Sequence, residues 1–386
     1  MKKGPLAGIR VLEFPGIGPA PLCGMLLSDM GAEVLRLDRL EAVDLGVPRP
    51  YRFELANRGK RSMTLDLKHA DGKALAAELV ERADVLIEGF RPGTMERLGL
   101  GPDVCLARNP KLVYGRVTGF GQDGPLAQAA GHDLNYIALS GALHAIGRAG
   151  APPTPPLNLL GDYAGGSMFL AWGIACALLE AQRSGQGQVV DAAMVDGVSV
   201  LMTAIYGLVG GGLHNGPRGT NMLDSGAPFY EVFECADGAY VSVAPIERRF
   251  RTVLLEKLGP QTAGLPDLDD RAQWPQAKAA LAGIFRTRTR SEWCELLEGT
   301  DACFAPVLSP QEAPDHPHNR ARNTFVEIDG VVQAAPAPRF GRSAPEIPTA
   351  PEAPGTSGAA LAVDWGIARD RIDALARDGV IGRARQ

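Results

Sequence analysis

The sequence predicts an α/β protein, with a large domain built on a doubly wound sheet and a smaller α+β domain after it. Three observations carry this. Short apolar runs alternate with helical patterns over the first 120 residues, the order that parallel strands and crossover helices produce. Two long apolar helical segments come next. Beyond about residue 225 alternating strands flank Ala-Asp-Gly, a hairpin signal that opens a second unit.

Residues 8–14 (GIRVLEF) and 32–38 (AEVLRLD) are continuous apolar runs of the kind that form buried parallel strands. PLCGMLLSDMG between them has helical spacing and closes at Gly31, so the chain opens on a β–α–β unit. Residues 62–68 supply another strand, about 70–82 a helix, and 83–90 and 111–120 two more strands. HDLNYIALSGALHAIG and DYAGGSMFLAWGIACALLEAQRSG are apolar nearly all round, which predicts two buried helices. APPTPP (151–156) is a stiff connector between them. GQVVDAAMVDGVSVLMTAIYGLVG adds a strand and a helix, and the Gly- and Pro-rich stretch around 211–227 is a loop or linker. Helices follow at about 247–258, 270–286 and 290–298. The tail APEIPTAPEAPGTSG is extended, and a final helix returns to the first domain. The expected boundaries are 1–190 for the large domain and 191–224 for a linker. The small domain takes 225–325, and 326–386 forms the return linker and the C-terminal part of the large domain.

With 45% hydrophobic and 22% charged residues, the 386-residue chain has ordinary globular composition. A net charge of −5 gives no general attraction to nucleic acid or to a membrane surface. No segment approaches the ~18 uninterrupted apolar residues of a spanning helix. The apolar run after MKKG is too short and interrupted for a signal peptide. A cytoplasmic protein without nucleic-acid or membrane partners is expected. The six cysteines are scattered without C-x-x-C spacing, so free thiols and no metal site are expected. His316 and His318 stand near Asp315, but no further ligands are evident there.

GIGPAP (16–21) follows the first strand and Asp38 ends the second, which outlines a dinucleotide fingerprint. The third glycine of that fingerprint is Pro21 here, so a glycine-lined turn at the top of a parallel sheet is the better reading. Arg39 stands just past the second strand and Arg91 just past the fourth, both on the carboxyl edge of the sheet. Arg58, Lys60 and Arg61 of NRGKR can join them through their loop. A convergent basic edge without a P-loop suits a phosphorylated small molecule such as coenzyme A; solvated surface charge is the alternative.

His132 and Asp162 each open an apolar helical segment. Each can be structural, and Asp133 can be the cap of its helix. At two helix N-termini, however, the dipoles favour neutral imidazole and ionised carboxylate, which makes both groups bases near neutral pH. Glu247, after the second hairpin strand, is a third candidate or a first-turn glutamate that complements its helix.

LEFPGIGPAP, GAEVLRLDR, NRGKRSMTLDLK, VLIEGFRPGTMERLGLGP, GFGQDGP, GHDLNYIALSG, PLNLLGDYAGG, GQVVDAAMVDG, NMLDSGAPFY and TDACFAPVL together resemble the 2-methylacyl-coenzyme A racemases. That group, here most like its bacterial branch, belongs to the family III coenzyme A transferase superfamily. The resemblance runs from about residue 5 to 345. It implies an interlocked homodimer in which a Rossmann-like, coenzyme A-binding large domain is joined to the small domain by two linkers. It implies an active site at the subunit interface, with His132 and Asp162 as the two bases and Asn158 nearby. Glu247 matches a glutamate that reaches in from the small domain of the other subunit. Coenzyme A contacts fall on Arg39, on Leu65, Asp66, Leu67 and Lys68, on Arg91, and on Gly131, Asp133 and Tyr136 of the GHDLNY turn. No cofactor is required, because coenzyme A is part of the acyl-coenzyme A substrate. Where the family has Ile-Glu-Pro-Gln-Phe this chain has Ile246, Glu247, Arg248, Arg249 and Phe250, so two positive charges follow the glutamate.

The implied reaction interconverts (2R)- and (2S)-2-methylacyl thioesters by 1,1-proton transfer through an enolate. A planar enolate has two faces and one base cannot easily serve both, so His132 and Asp162 are assigned to opposite sides. Amides at the helix starts behind Gly131 or Gly161 would stabilise the enolate oxygen by ~3 kcal/mol per donor. The alternative is a family III coenzyme A transferase with Asp162 as covalent nucleophile. Transferases typically have Tyr-Asp where this chain has His132–Asp133, and a glycine run in place of NMLDSGAPFY. Both differences favour the racemase.

Overall fold

β-branched and leucine-rich runs bounded by turn residues become strands in the computed structural model, which describes residues 3–41, 46–47 and 49–382. Met1 and Lys2 of the N-terminal segment, and the last four residues of the expected C-terminal part, lie outside the described residues. In chain order the strands are β1 (Arg10–Glu13), β2 (Glu33–Asp38), β3 (Arg61–Leu65), β4 (Val85–Glu88), β5 (Val113–Thr118) and β6 (Gln188–Ala193). They continue with β7 (Glu231–Glu234), β8 (Tyr240–Val243), β9 (Phe304–Val307), β10 (Phe325–Ile328), β11 (Val331–Ala334) and β12 (Ile381–Gly382).

The described chain divides into two compact units, one of Met1–Ser140, Leu157–Leu201 and Asn323–Gln386, the other of Gly141–Pro156 and Met202–Arg322. The first unit is built on a seven-stranded sheet of order β12-β3-β2-β1-β4-β5-β6. β1 to β6 pair in parallel, and β12 closes one edge antiparallel to β3. The chain grows outward from β1 through β2 to β3, then restarts on the other flank of β1 with β4. That reversal opens a crevice at the strand carboxyl ends, where open α/β sheets take their ligands.

Successive strand residues face opposite sides of the sheet. Leu12, Leu35 and Leu86 join one core with the helices Ala70–Arg82, Gly358–Asp364 and Arg369–Arg377. Val11, Val34, Val85 and Ile87 join the other, against the helices Pro19–Asp29 and Phe169–Ser184. The hairpin β10–β11 was not foreseen, although Asp329 and Gly330 at its turn both have positive φ, the mark of a tight hairpin.

Leu159–Ser184 forms a 26-residue helix that is long and apolar enough, by length and composition alone, to cross a membrane. Its first stretch, Leu159–Met168, winds in wide π-type turns before regular helix begins at Phe169. Leu170, Ile174 and Ala177 are buried against the sheet. The opposite side, Met168, Trp172, Cys176 and Leu179, repeats once per turn and is exposed, with Trp172 at 66%. The expectation that both apolar segments would be buried is therefore corrected. The first of them is also broken: Asp133–Leu139 ends before Gly141 (φ +76°), and Leu134 and Leu139 are exposed.

In the second unit β7, β8 and β9 form an antiparallel sheet, and the expected hairpin turns through Gly238 at φ +75°. Helices Arg248–Leu258, Trp274–Phe285 and Arg290–Leu297 supply its core. There the Phe233 and Phe285 rings stack at 4.9 Å, and Trp293 Nε1 donates to the Phe285 carbonyl at 2.8 Å.

Candidate active site

The loops that leave β1, β4 and β5 meet at the crevice and, with two helix starts, line a cavity of about 320 Å³. Ile17, Gly18 and Pro19 come from the first loop, Phe90 and Arg91 from the second, Gly119 and Phe120 from the third. Met194, just past β6, and Gly131, His132, Tyr136 and Asp162 complete it.

His132 has extended backbone (φ −132°, ψ 177°) at the N-cap of Asp133–Leu139, and its amide donates to Asn135 Oδ1 at 3.0 Å. Asp162 lies in the first turn of the long helix and is half-buried. Asn158 Nδ2 donates to its Oδ2 at 3.2 Å. Burial pushes the Asp162 carboxyl above the usual carboxylate range, helped by the nearby charge of Asp133 and opposed by Asn158 and His132.

Between the two segments lies Asp133, only 4% exposed. Its Oδ2 accepts the Gly161 amide at 2.6 Å and the Asp162 amide at 2.7 Å. The amides expected at Gly161 for an enolate oxygen are therefore already committed. Of those that open the helix behind His132, the Asn135 amide donates to the His132 carbonyl at 2.8 Å, and the Asp133 and Leu134 amides precede it at the helix start. Tyr136 buries its ring edge-on against Phe120, with centroids 5.0 Å apart, and its hydroxyl donates to the Gly131 carbonyl. A β-carbon at Gly119 would stand 2.0 Å from that ring and one at Gly131 2.8 Å, so both glycines are steric requirements. Burial pushes the Tyr136 phenol up to about 12.

A sequence profile of CoA-transferase family III matches residues 6–356. The chain belongs to CoA-transferase family III. Over 380 residues it is 43% identical to an alpha-methylacyl-CoA racemase from Mus musculus, covering 97% of each chain. A protein of the same name from Homo sapiens is 42% identical over 379 residues, again covering 97% of each. Among solved structures, a CAIB/BAIF family protein from Brucella suis has a TM-score of 0.79 at 24% identity, covering 94% of this chain and 100% of its own. The large parallel sheet is thus the fold of family III.

Within this family III chain the remaining expected contacts lie along the same sheet edge. Arg39 is exposed just past β2, and Leu65 ends β3 with its side chain in the core. Asp66 Oδ1 accepts the Lys68 amide at 2.8 Å, Leu67 packs against that core, and Lys68 is exposed. None of Arg39 and Leu65 to Lys68 lines the cavity. NRGKR does not join the basic edge as expected. Arg58 Nη2 lies 2.6 Å from Asp29 and Lys60 Nζ 2.7 Å from Glu13, both pairs buried, while Arg61 opens β3 at the opposite edge.

Glu247 belongs to the second unit, at the exposed N-cap of Arg248–Leu258. The arginines that follow it are engaged elsewhere. Arg248 pairs with Asp269 at 2.5 Å, and the Arg249 guanidinium lies 4.4 Å from the centroid of the Phe250 ring. His316 pairs with Glu298 at 2.8 Å, and no three-ligand metal cluster occurs among the described residues. Sequence reasoning missed Glu88, whose buried carboxylate accepts the Phe90 amide at 2.7 Å and the Arg116 Nε at 2.8 Å. It fixes the loop that presents Arg91. An acidic residue ending a buried strand next to EGFRPG was the available signal.

Proposed function

We propose that this chain is a 2-methylacyl-CoA racemase that interconverts the (2R) and (2S) thioesters through an enolate. The observation that carries the reading is His132 and Asp162 on the wall of one cavity, joined through Asp133. The identity to proteins named alpha-methylacyl-CoA racemase supports it.

In one direction Asp162 enters as carboxylate and takes the α-proton. The C–H electron pair moves into the thioester as an enolate, and protonated His132 returns a proton to the opposite face. In the other direction neutral His132 is the base and protonated Asp162 the acid. The two enantiomers are nearly equal in energy, so the reaction runs best when the two groups hold protons with similar affinity. Burial moves Asp162 in that direction. The Asp133 and Leu134 amides, the first two of Asp133–Leu139, receive the enolate oxygen in this reading. Arg91 and Arg39, with Leu65 to Lys68 and the Gly131–Tyr136 turn, hold the coenzyme A portion, whose binding energy positions the reacting carbon.

The exposed stripe Met168–Trp172–Leu179 is covered by a second copy in a homodimer, which also supplies Glu247 to the site. The enzyme works in the cytoplasm on acyl-CoA, without a cofactor, nucleic acid or membrane. A second reading is favoured by the family itself: Asp162 attacks the thioester carbonyl, expels the coenzyme A thiolate and becomes a mixed anhydride.

One incubation decides between them. A single-enantiomer 2-methylacyl-CoA is supplied in deuterated water with a free carboxylic acid. The expected result is epimerisation with α-deuterium incorporation and no coenzyme A on the added acid. Transfer of coenzyme A at a rate matching epimerisation overturns the racemase reading.

A further inference from the structure

By resemblance Asp133 is a coenzyme A contact, yet its carboxylate is turned inward and 4% exposed. We propose that Asp133 is a positioning residue that sets Asp162 against His132, an inference that rests on the two-base reading above. The backbone of Asp133 continues directly from His132, while its carboxylate grips the amides of Gly161 and Asp162, 28 and 29 residues away. Any movement of one base relative to the other must stretch these two bonds. Both are charge-assisted and short, about twice as strong as neutral ones.

Three further observations point to an alignment device rather than an ordinary cap. The wide turns of Leu159–Met168 depart from the regular helical ladder, so this start depends on an outside anchor. Gly161 is shaped to the contact, because a β-carbon there would stand 2.7 Å from Asp133 Oδ2. Oδ1 of the same carboxylate is buried with no hydrogen-bond partner among the described residues, a cost that an apolar side chain would avoid. The negative charge is thus retained beside Asp162. The groups that face Asp162 are His132 and Asp133 from one helix, Asn158 from its own segment, and the Tyr136 phenol. Of these Asp133 opposes ionisation of Asp162, so it adds to burial in raising the proton affinity of the base as well as fixing its place.

The test uses the full-length protein with Asp133→Ala and Asp133→Asn. Asp133→Ala is expected to lower kcat roughly 100-fold with little change in KM for the CoA thioester. Its α-deuterium exchange should disappear for the enantiomer served by Asp162 and persist for the one served by His132. Asp133→Asn keeps one acceptor oxygen but loses the charge, so the acid limb of kcat/KM should move to lower pH. A rise in KM at unchanged kcat, equal loss for both enantiomers, or an unmoved acid limb overturns the proposal. If Asp133→Ala does not fold, the pH profile of Asp133→Asn decides alone. If the wild type only transfers coenzyme A, the racemase reading fails separately; the same kcat-against-KM split on transfer then decides Asp133, because Asp162 acts in both reactions.

Discussion

Gly18 stands so close to Asp162 that a β-carbon built on it would lie 3.0 Å from Asp162 Oδ2. Gly18 also has φ +66°, a conformation that costs other residues about 1–2 kcal/mol. The glycine therefore keeps open the space in front of the Asp162 carboxylate. Gly18→Ala is expected to lose most epimerisation activity while its unfolding midpoint falls only modestly. Steady-state kinetics beside denaturant titration checks this; a loss of stability that accounts for all the lost activity would count against it.

On the proposed two-base reading, His132 and Asp162 should be separable by stereochemistry. His132→Ala is expected to abolish racemisation but to keep α-deuterium exchange, with retention, for the one enantiomer presented to Asp162. Asp162→Asn should show the mirror preference at near-neutral pH, where His132 can act as a base. Mass spectrometry of both enantiomers after incubation in deuterated water reads this out. Exchange of both enantiomers by either single variant would contradict an opposite-face arrangement.

Asp162 should also be a burden on stability. Its folded pKa is raised above the ordinary 3.8, so the folded state holds the proton more tightly than the unfolded chain. The stability tied to this group is fully present below the unfolded value and is lost as pH rises through the folded one. At pH 7 the ionised side chain is disfavoured, and Asp162→Asn is expected to melt at or above the wild-type temperature. The difference should shrink as pH falls toward about 4. Calorimetry across that range checks it.

Lys60 and Glu13 form a buried pair, and removing one partner strands the other. Lys60→Met is expected to cost about 3–5 kcal/mol, and adding Glu13→Gln should recover much of it. Urea denaturation of the single and double variants measures both. Equal stabilities for the two would mean that the pair is not coupled.

The exposed stripe on the long helix should hold two copies together. Trp172→Glu is expected to raise the dimer dissociation constant by a factor of 30 or so, as for a central aromatic contact worth about 2 kcal/mol. Sedimentation over a dilution series would show an unchanged dimer if the face serves another purpose.

What could be read from the sequence follows from where the signals are local. β1 to β5 were legible because each is a continuous apolar run between turn residues. His132 and Asp162 were legible as polar groups that interrupt apolar helices. Asp133 as a bridge was not, since its partners lie 28 and 29 residues away and only the fold brings them close. Lys60 was misread for a related reason: its partner Glu13 is 47 residues distant, and a buried lysine looks like a solvated one in a string of letters. The exposed side of the long helix was hidden because an all-round apolar pattern does not say what does the covering. β10 and β11 were legible in principle, from Asp329-Gly330 between two alternating segments, and were overlooked beside the proline-rich tail.

The last strand of the first unit, β12, pairs with β3 through partners more than 300 positions apart, Thr64 and Gly382. Leu361, Trp365, Ile372 and Leu375 fill the same core as Leu75 and Leu79. A chain growing on the ribosome therefore finishes the second unit while one face of the seven-stranded sheet, covered in part by Ala70–Arg82, still lacks its two C-terminal helices. That core must wait for the final 30 or so residues before it closes, so premature termination near residue 350 would release a chain with every cavity-lining residue synthesised but its leucine core open on one side to chaperones and proteases.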